Sequence, residues 1–155
     1  MKRILPLLVI VCALCSCSQT AQSPVLTGFS QSAVVESGDF SYNADIRFEN
    51  NTVYITATST NASGLTVSCD GSRVNYSYKN MSNDTELDKT TDYNIPKALY
   101  RVFTDLHNAQ VKKENDRTLF LGKTELGSYE LIVDKQQSPV SLSMPEAVIY
   151  IKFNK

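Results

Sequence analysis

The chain has 155 residues, with 15 Lys and Arg, 16 Asp and Glu, one His and a formal net charge of −1. So even a balance, with no basic stripe in it, argues against nucleic acid as a partner. A chain of this length is the size of one ordinary domain and can bury a core without staples.

The first residues set the address. Met1, Lys2 and Arg3 precede residues 4–14, which are apolar apart from Pro6 and Cys12. A basic start, a short apolar core and then small residues is the pattern of a secretory signal. The run is too short for a mature transmembrane helix, which needs roughly 20 apolar residues. The stretch Leu14-Cys15-Ser16-Cys17 resembles the bacterial lipobox, in which small residues precede the Cys that takes a lipid. The resemblance implies that 1–16 is a cleaved lipoprotein signal, that Cys17 is lipidated, and that 17–23 is a polar tether. The partner would then be a membrane, held through the lipid on Cys17, and the location the outer face of a bacterial membrane in the cell envelope. The alternative is an ordinary signal cut near Ala21, giving a soluble product. Without Lys2 and Arg3 the charge balance is 13 against 16, or −3, so the anchor would be acyl chain rather than electrostatics.

Four cysteines are present. Cys12 and Cys15 leave with the signal and Cys17 takes the lipid, so Cys69 has no disulfide partner. Cys69 alternates with Leu65 and Val67 and reads as a small buried hydrophobe.

Residues 24–155 read as one domain. The first clear strand is 39–48, with Phe40, Tyr42, Ala44, Ile46 and Phe48 on one face and polar residues between them. This is period-2 alternation. Glu49-Asn50-Asn51 is a turn, since Asn tolerates positive φ. The return strand is 52–59, with Val53, Ile55 and Ala57 on one face. Residues 65–69 alternate again, Asp70-Gly71 signals a hairpin of the type I′ kind, and 73–79 returns with Val74, Tyr76 and Tyr78 aligned. So 39–79 reads as a four-strand meander.

Residues 80–92 are polar and read as a loop. Pro96 then opens a helix over 95–108, where its missing N–H costs nothing in the first turn. Ile95, Leu99, Val102, Phe103 and Leu106 recur at helical spacing, and the stripe needs an apolar surface to cover. Strands resume at 109–113, 117–122, 128–134, 140–144 and 147–153, with turns at Glu114-Asn115-Asp116, Gly127-Ser128, 136–139 and Pro145. The expected fold is mainly β (α+β): a curved antiparallel sheet, or half-barrel, of about eight strands with one main helix packed on its concave side. That helix is roughly 20 Å long. Whatever it leaves uncovered would be an apolar groove, the usual mark of a binding site.

A lipobox, a meander, a Pro-started helix and a second meander together resemble the LolA-like superfamily of extracytoplasmic half-barrels. The similar parts are the hairpin Gly71-Ser72-Arg73-Val74-x-Tyr76, the Ile95-Pro96 helix start and the closing strands around Tyr129-Glu130-Leu131, Ser138-Pro139-Val140 and 148–153. The resemblance covers most of 28–153 as a pattern of elements. It implies a cavity for lipid or for lipoprotein acyl chains. This chain is shorter, with one obvious helix where larger members have more, so its cavity would be small or filled by its own helix.

Chemistry is sparse. His107 stands at the helix end with no recognisable nucleophile or acid partner, and reads as a helix-terminus residue. Asp84, Glu86 and Asp88 lack the Gly and Glu that an EF-hand loop requires at its sixth and twelfth positions, where Lys89 and Ile95 stand instead. They read as a solvated acidic loop. Sequons at Asn61, Asn75, Asn80 and Asn83 are discounted beside a bacterial lipobox. The reading is a non-enzyme without cofactor or metal, whose candidate ligand-facing residues are Phe40, Tyr42, Phe48, Tyr76, Tyr78, Tyr129 and Leu131. The competing reading of these residues is a packed core beneath the helix. The expected function is a lipid-anchored carrier or binding protein for an apolar ligand, a lipid or a lipoprotein acyl chain. The alternative is a structural or regulatory surface lipoprotein with a filled core, acting through loop 80–94 or a strand edge. A secreted hydrolase comes third.

Overall fold

A computed structural model describes Leu26 and residues 28–154. The expected signal 1–16, Cys17 and the expected tether 17–23 lie outside the described residues. In chain order the elements are β1 (Phe29–Ser37), β2 (Phe40–Glu49), β3 (Thr52–Ala57), β4 (Thr66–Cys69), β5 (Arg73–Tyr78) and β6 (Met81–Glu86), then the helix α1 (Ile95–Asp105). After it come β7 (Gln110–Glu114), β8 (Arg117–Thr124), β9 (Gly127–Asp134), β10 (Pro139–Met144) and β11 (Ile149–Phe153).

All the strands join one sheet in the order β6-β5-β4-β3-β2-β1-β11-β10-β9-β8-β7, and every neighbouring pair is antiparallel. Two meanders thus meet at the β1–β11 seam. The described sheet has eleven strands, not about eight. β1 escapes the alternation test because Gln31 occupies an inward position between Phe29 and Ala33. β6, expected as part of a loop, is polar because it is an edge: all its residues but Thr85 are exposed. Charged edges discourage pairing with other chains. Arg73 forms an ion pair with Asp84 across the β5–β6 pair.

The turns follow their residues. Asn50 and Asn51 both have positive φ, 48° and 57°, which is the type I′ pattern. At Asp70-Gly71-Ser72-Arg73 only Gly71 is positive, at 90°. That φ pattern is type II′, not the expected I′. The Asp70 carboxylate explains the difference. It accepts hydrogen bonds from the backbone N–H groups of Ser72 and Arg73, both at 2.8 Å, and holds the turn closed from its first residue. These bonds also lower the Asp70 pKa below its usual carboxylate value.

Asn94 caps α1: its side-chain oxygen accepts from the Lys97 N–H at 3.0 Å, and Pro96 sits in the first turn. The stripe Ala98, Leu99 and Val102 is wholly buried, with Ile95 and Phe103 nearly so. Each of these side chains but Ala98 contributes about 1.5–3 kcal/mol by leaving water. The helix passes into a 3-10 turn at Leu106–Asn108, as the expected end at Asn108 requires. The Lys97 amine is buried against the Thr90 carbonyl (3.2 Å) and the Asp92 carboxylate (2.9 Å), which pins the 90–94 connection to the helix.

α1 touches β3 and β4 on one side and β8 on the other. β3 and β8 are six strand steps apart in the sheet, about 29 Å if it were flat. A helix about 10–12 Å across reaches both only if the sheet curls around it. The sheet is therefore an open, strongly curved one with α1 on its concave side.

Candidate functional site

Polar bonds tie α1 to both halves of the sheet. On one half, Asn94 Nδ2 donates to the Tyr76 hydroxyl on β5 at 3.0 Å. Asn51, in the β2–β3 turn, donates to the Tyr100 hydroxyl at 3.0 Å, and the Tyr100 ring tip lies directly over Gly71. On the other half, Tyr129 on β9 donates to Asp105 Oδ2 at 3.0 Å, and the Arg101 Nε lies 2.7 Å from Glu125. Gly122, opposite Tyr129 in the sheet, leaves room for its ring. Burial, then the bond to Asp105, raises the Tyr129 phenol far above its usual value.

On the first half, the Tyr100 contacts hold α1 toward the rim formed by turns 50–51 and 71–72. The opposite end of the concave face stays open. There a groove of about 330 Å³ runs over the start of β2, the end of β3 and the start of β4, and no residue of α1 lines it. Its apolar walls are Phe40, Tyr42, Ile55, Ala57, Leu65 and Val67. Thr60 and Ser41 are its polar members, and no charged side chain lines it. Phe40 stands at the mouth, 77% exposed.

The outer wall is the 58–65 segment, and backbone bonds fix it. Ala57 N–H donates to the Leu65 carbonyl at 2.9 Å, Gly64 N–H to the Ala57 carbonyl at 2.8 Å, and Thr58 N–H to the Asn43 carbonyl at 2.9 Å. Thr60 is held at a φ of 75°. A β-branched residue in the left-handed region is strained, and such strain gathers at functional sites. Tyr42 is partly buried in the groove floor. Burial raises its phenol, with no hydrogen bond contributing to the shift.

The seven candidate residues separate into groups. Phe40 and Tyr42 share the groove, and the Tyr78 ring stands against Gly64 just beyond its wall. Phe48 joins an aromatic cluster under the helix end, 5.2 Å from Phe103 and 6.4 Å from Phe29 between ring centroids. With Leu26 and Leu106 it lines a second cavity of about 500 Å³, whose mouth carries Glu49, Asn50 and His107. Tyr76 is committed to the helix cap, and Tyr129 and Leu131 are buried in the core beneath α1. Among the groove residues not singled out from sequence are Ile55, Ala57, Leu65 and Val67. Their alternation marked them as strand faces, but not which part of the face the helix leaves bare.

His107 caps the helix end, its Nδ1 2.9 Å from the Thr104 carbonyl. Asp84 and Glu86 lie on the edge strand β6 rather than in a loop and pair with Arg73 and Lys89, the latter at 3.0 Å, while Asp88 sits in the 3-10 turn that follows. Among the described residues no group of three His, Cys, Asp or Glu is placed to hold a metal, and no helix is long and apolar enough to cross a membrane.

No protein-family model matches the chain, and no curated protein matches it in sequence. Its fold is similar to the crystal structure of LolA superfamily protein NE2245 from Nitrosomonas europaea. That likeness covers 86% of this chain and 87% of that one, at 10% identity and a TM-score of 0.46.

Proposed function

We propose that the protein is a non-catalytic binding module for an apolar ligand, held outside a bacterial cell by a lipid on Cys17. The observation that carries the ligand reading is the uncovered end of the concave face. It is concave, apolar, shaped by a strained and well-anchored wall, and near the lower limit of about 300 Å³ for small-molecule sites. An alkyl chain seated there would leave water at a gain of about 0.8 kcal/mol per methylene. The resemblance noted in the sequence implies the same class of ligand, a lipid or a lipoprotein acyl chain.

The test is native mass spectrometry of the gently purified protein, with extraction of any bound mass. A lipid adduct lost in a Leu65→Glu variant supports the reading. An empty protein that also ignores added apolar ligands rejects it. The anchor is tested apart, with a clickable fatty acid: the label should vanish in a Cys17→Ala variant, and a variant still labelled rejects the anchor.

A second reading has its own observation. Leu99, Val102 and Leu131 are fully buried where α1 meets both halves of the sheet, so the middle of the concave face is already filled by the chain itself. On that reading the protein acts through contacts with other proteins.

A further inference from the structure

The groove's electrostatics narrow its ligand. Resting on the binding role proposed above, we infer that the site takes a single alkyl chain ending in an uncharged ester or alcohol, and rejects free carboxylates and two-chained lipids. Size comes first. A volume of about 330 Å³ matches roughly ten waters at about 30 Å³ each. A methylene displaces close to one such share, so the groove takes one chain of roughly ten carbons.

Charge comes second. No Lys, Arg or His lines the groove. A carboxylate brought in would shed its water with no cation to replace it, and an unpaired charge at an apolar site is strongly disfavoured. The polar groups present are all neutral: Ser41, Thr60 and the Tyr42 hydroxyl. The Thr60 hydroxyl already accepts from the Ala62 N–H at 3.3 Å. The Tyr42 hydroxyl makes no hydrogen bond among the described residues, so its proton is free for an acceptor. An ester carbonyl or an alcohol oxygen accepts it, whereas a hydrocarbon leaves it unused. A volume filled by one chain of roughly ten carbons leaves no room for a second.

Equilibrium dialysis of the full chain in micelles, against micelle-only controls, tests this with labelled methyl decanoate, 1-decanol, sodium decanoate, decane and a didecanoyl lipid at neutral pH. The ester and the alcohol should bind at least tenfold tighter than decanoate, with the two-chained lipid weaker still. Tyr42→Phe should weaken the ester several-fold while leaving decane unchanged, a split that a merely structural role for Tyr42 would not produce. Decanoate or the two-chained lipid binding as well as the ester overturns the inference and leaves the binding role standing. An equal loss of ester and decane in Tyr42→Phe overturns the assignment of Tyr42. No binding of any probe overturns both the inference and the proposed function.

Discussion

The Tyr129 hydroxyl donates to Asp105 Oδ2 at 3.0 Å, and by that bond the C-terminal meander holds the end of the one α-helix described. The bond is partly buried, and the neutral phenol is the form it favours. Because the folded pKa of Tyr129 is raised above the ordinary value of 10.0, its stabilisation is complete below pH 10. It is lost as pH rises from there through the folded value. Tyr129→Phe should cost roughly 1 kcal/mol at neutral pH. It should also flatten the alkaline fall in stability above pH 10. Urea titrations at several pH values would show both effects, and an unchanged alkaline limb in the variant would remove Tyr129 as its cause.

Gly71 is the hinge of a tight hairpin and the floor on which Tyr100 rests. Its φ of 90° suits no L side chain, and a Cβ there would run into the Tyr100 ring. Gly71→Ala should therefore destabilise by about 2 kcal/mol, more than backbone strain alone, because the helix must also shift. Pairing it with Tyr100→Leu in a double-mutant cycle should recover part of the loss. Strict additivity would mean that the ring and the turn are independent.

Val148 has a φ of 52° and is 47% exposed. A β-branched residue in that region costs about 1–2 kcal/mol, with little burial here to offset it. Val148→Asn should raise the midpoint of thermal unfolding by several degrees, corresponding to about 1 kcal/mol. No gain, or a loss, would show that the valine methyls are engaged by something the isolated chain does not supply.

Cys69 is wholly buried, and burial is the first cause raising its thiol above the usual value. Both effects protect it from alkylation. Maleimide labelling at Cys69, read by peptide mass, should be at least about a hundredfold slower than in denaturant and should track unfolding. Fast labelling in native buffer would place β4 in a region that opens locally.

Much of the fold was legible where a strand has one wet and one dry face. β2 is the clearest case, since Ala44 and Ile46 are buried and Asp45 and Arg47 exposed, as their alternation requires. The helix was legible from its stripe and from Pro96. β1 was hidden because the inward Gln31 breaks its apolar pattern. Its Oε1 is buried without a partner and its Nε2 reaches the Asn154 carbonyl at 3.3 Å. β6 was hidden because an edge strand has no dry face to declare it. The candidate site was half legible. Aromatic residues on strands can line a groove or fill a core, and their alternation is the same in both. Phe40 and Tyr42 are free of the helix only because Tyr100 and Tyr129 hold it toward other parts of the sheet, a relation between distant segments.

The seam between the two meanders bears on the order in which the chain organises itself. Ala33 on β1 pairs with Phe153 on β11, 120 residues further along. Hairpins within each meander close short loops and form early, while this pairing must wait for the last strand and the largest loop-closure entropy. Until β11 arrives, β1 offers a bare central edge, so assembly should be slow, limited at the seam and sensitive to loss of the final few residues.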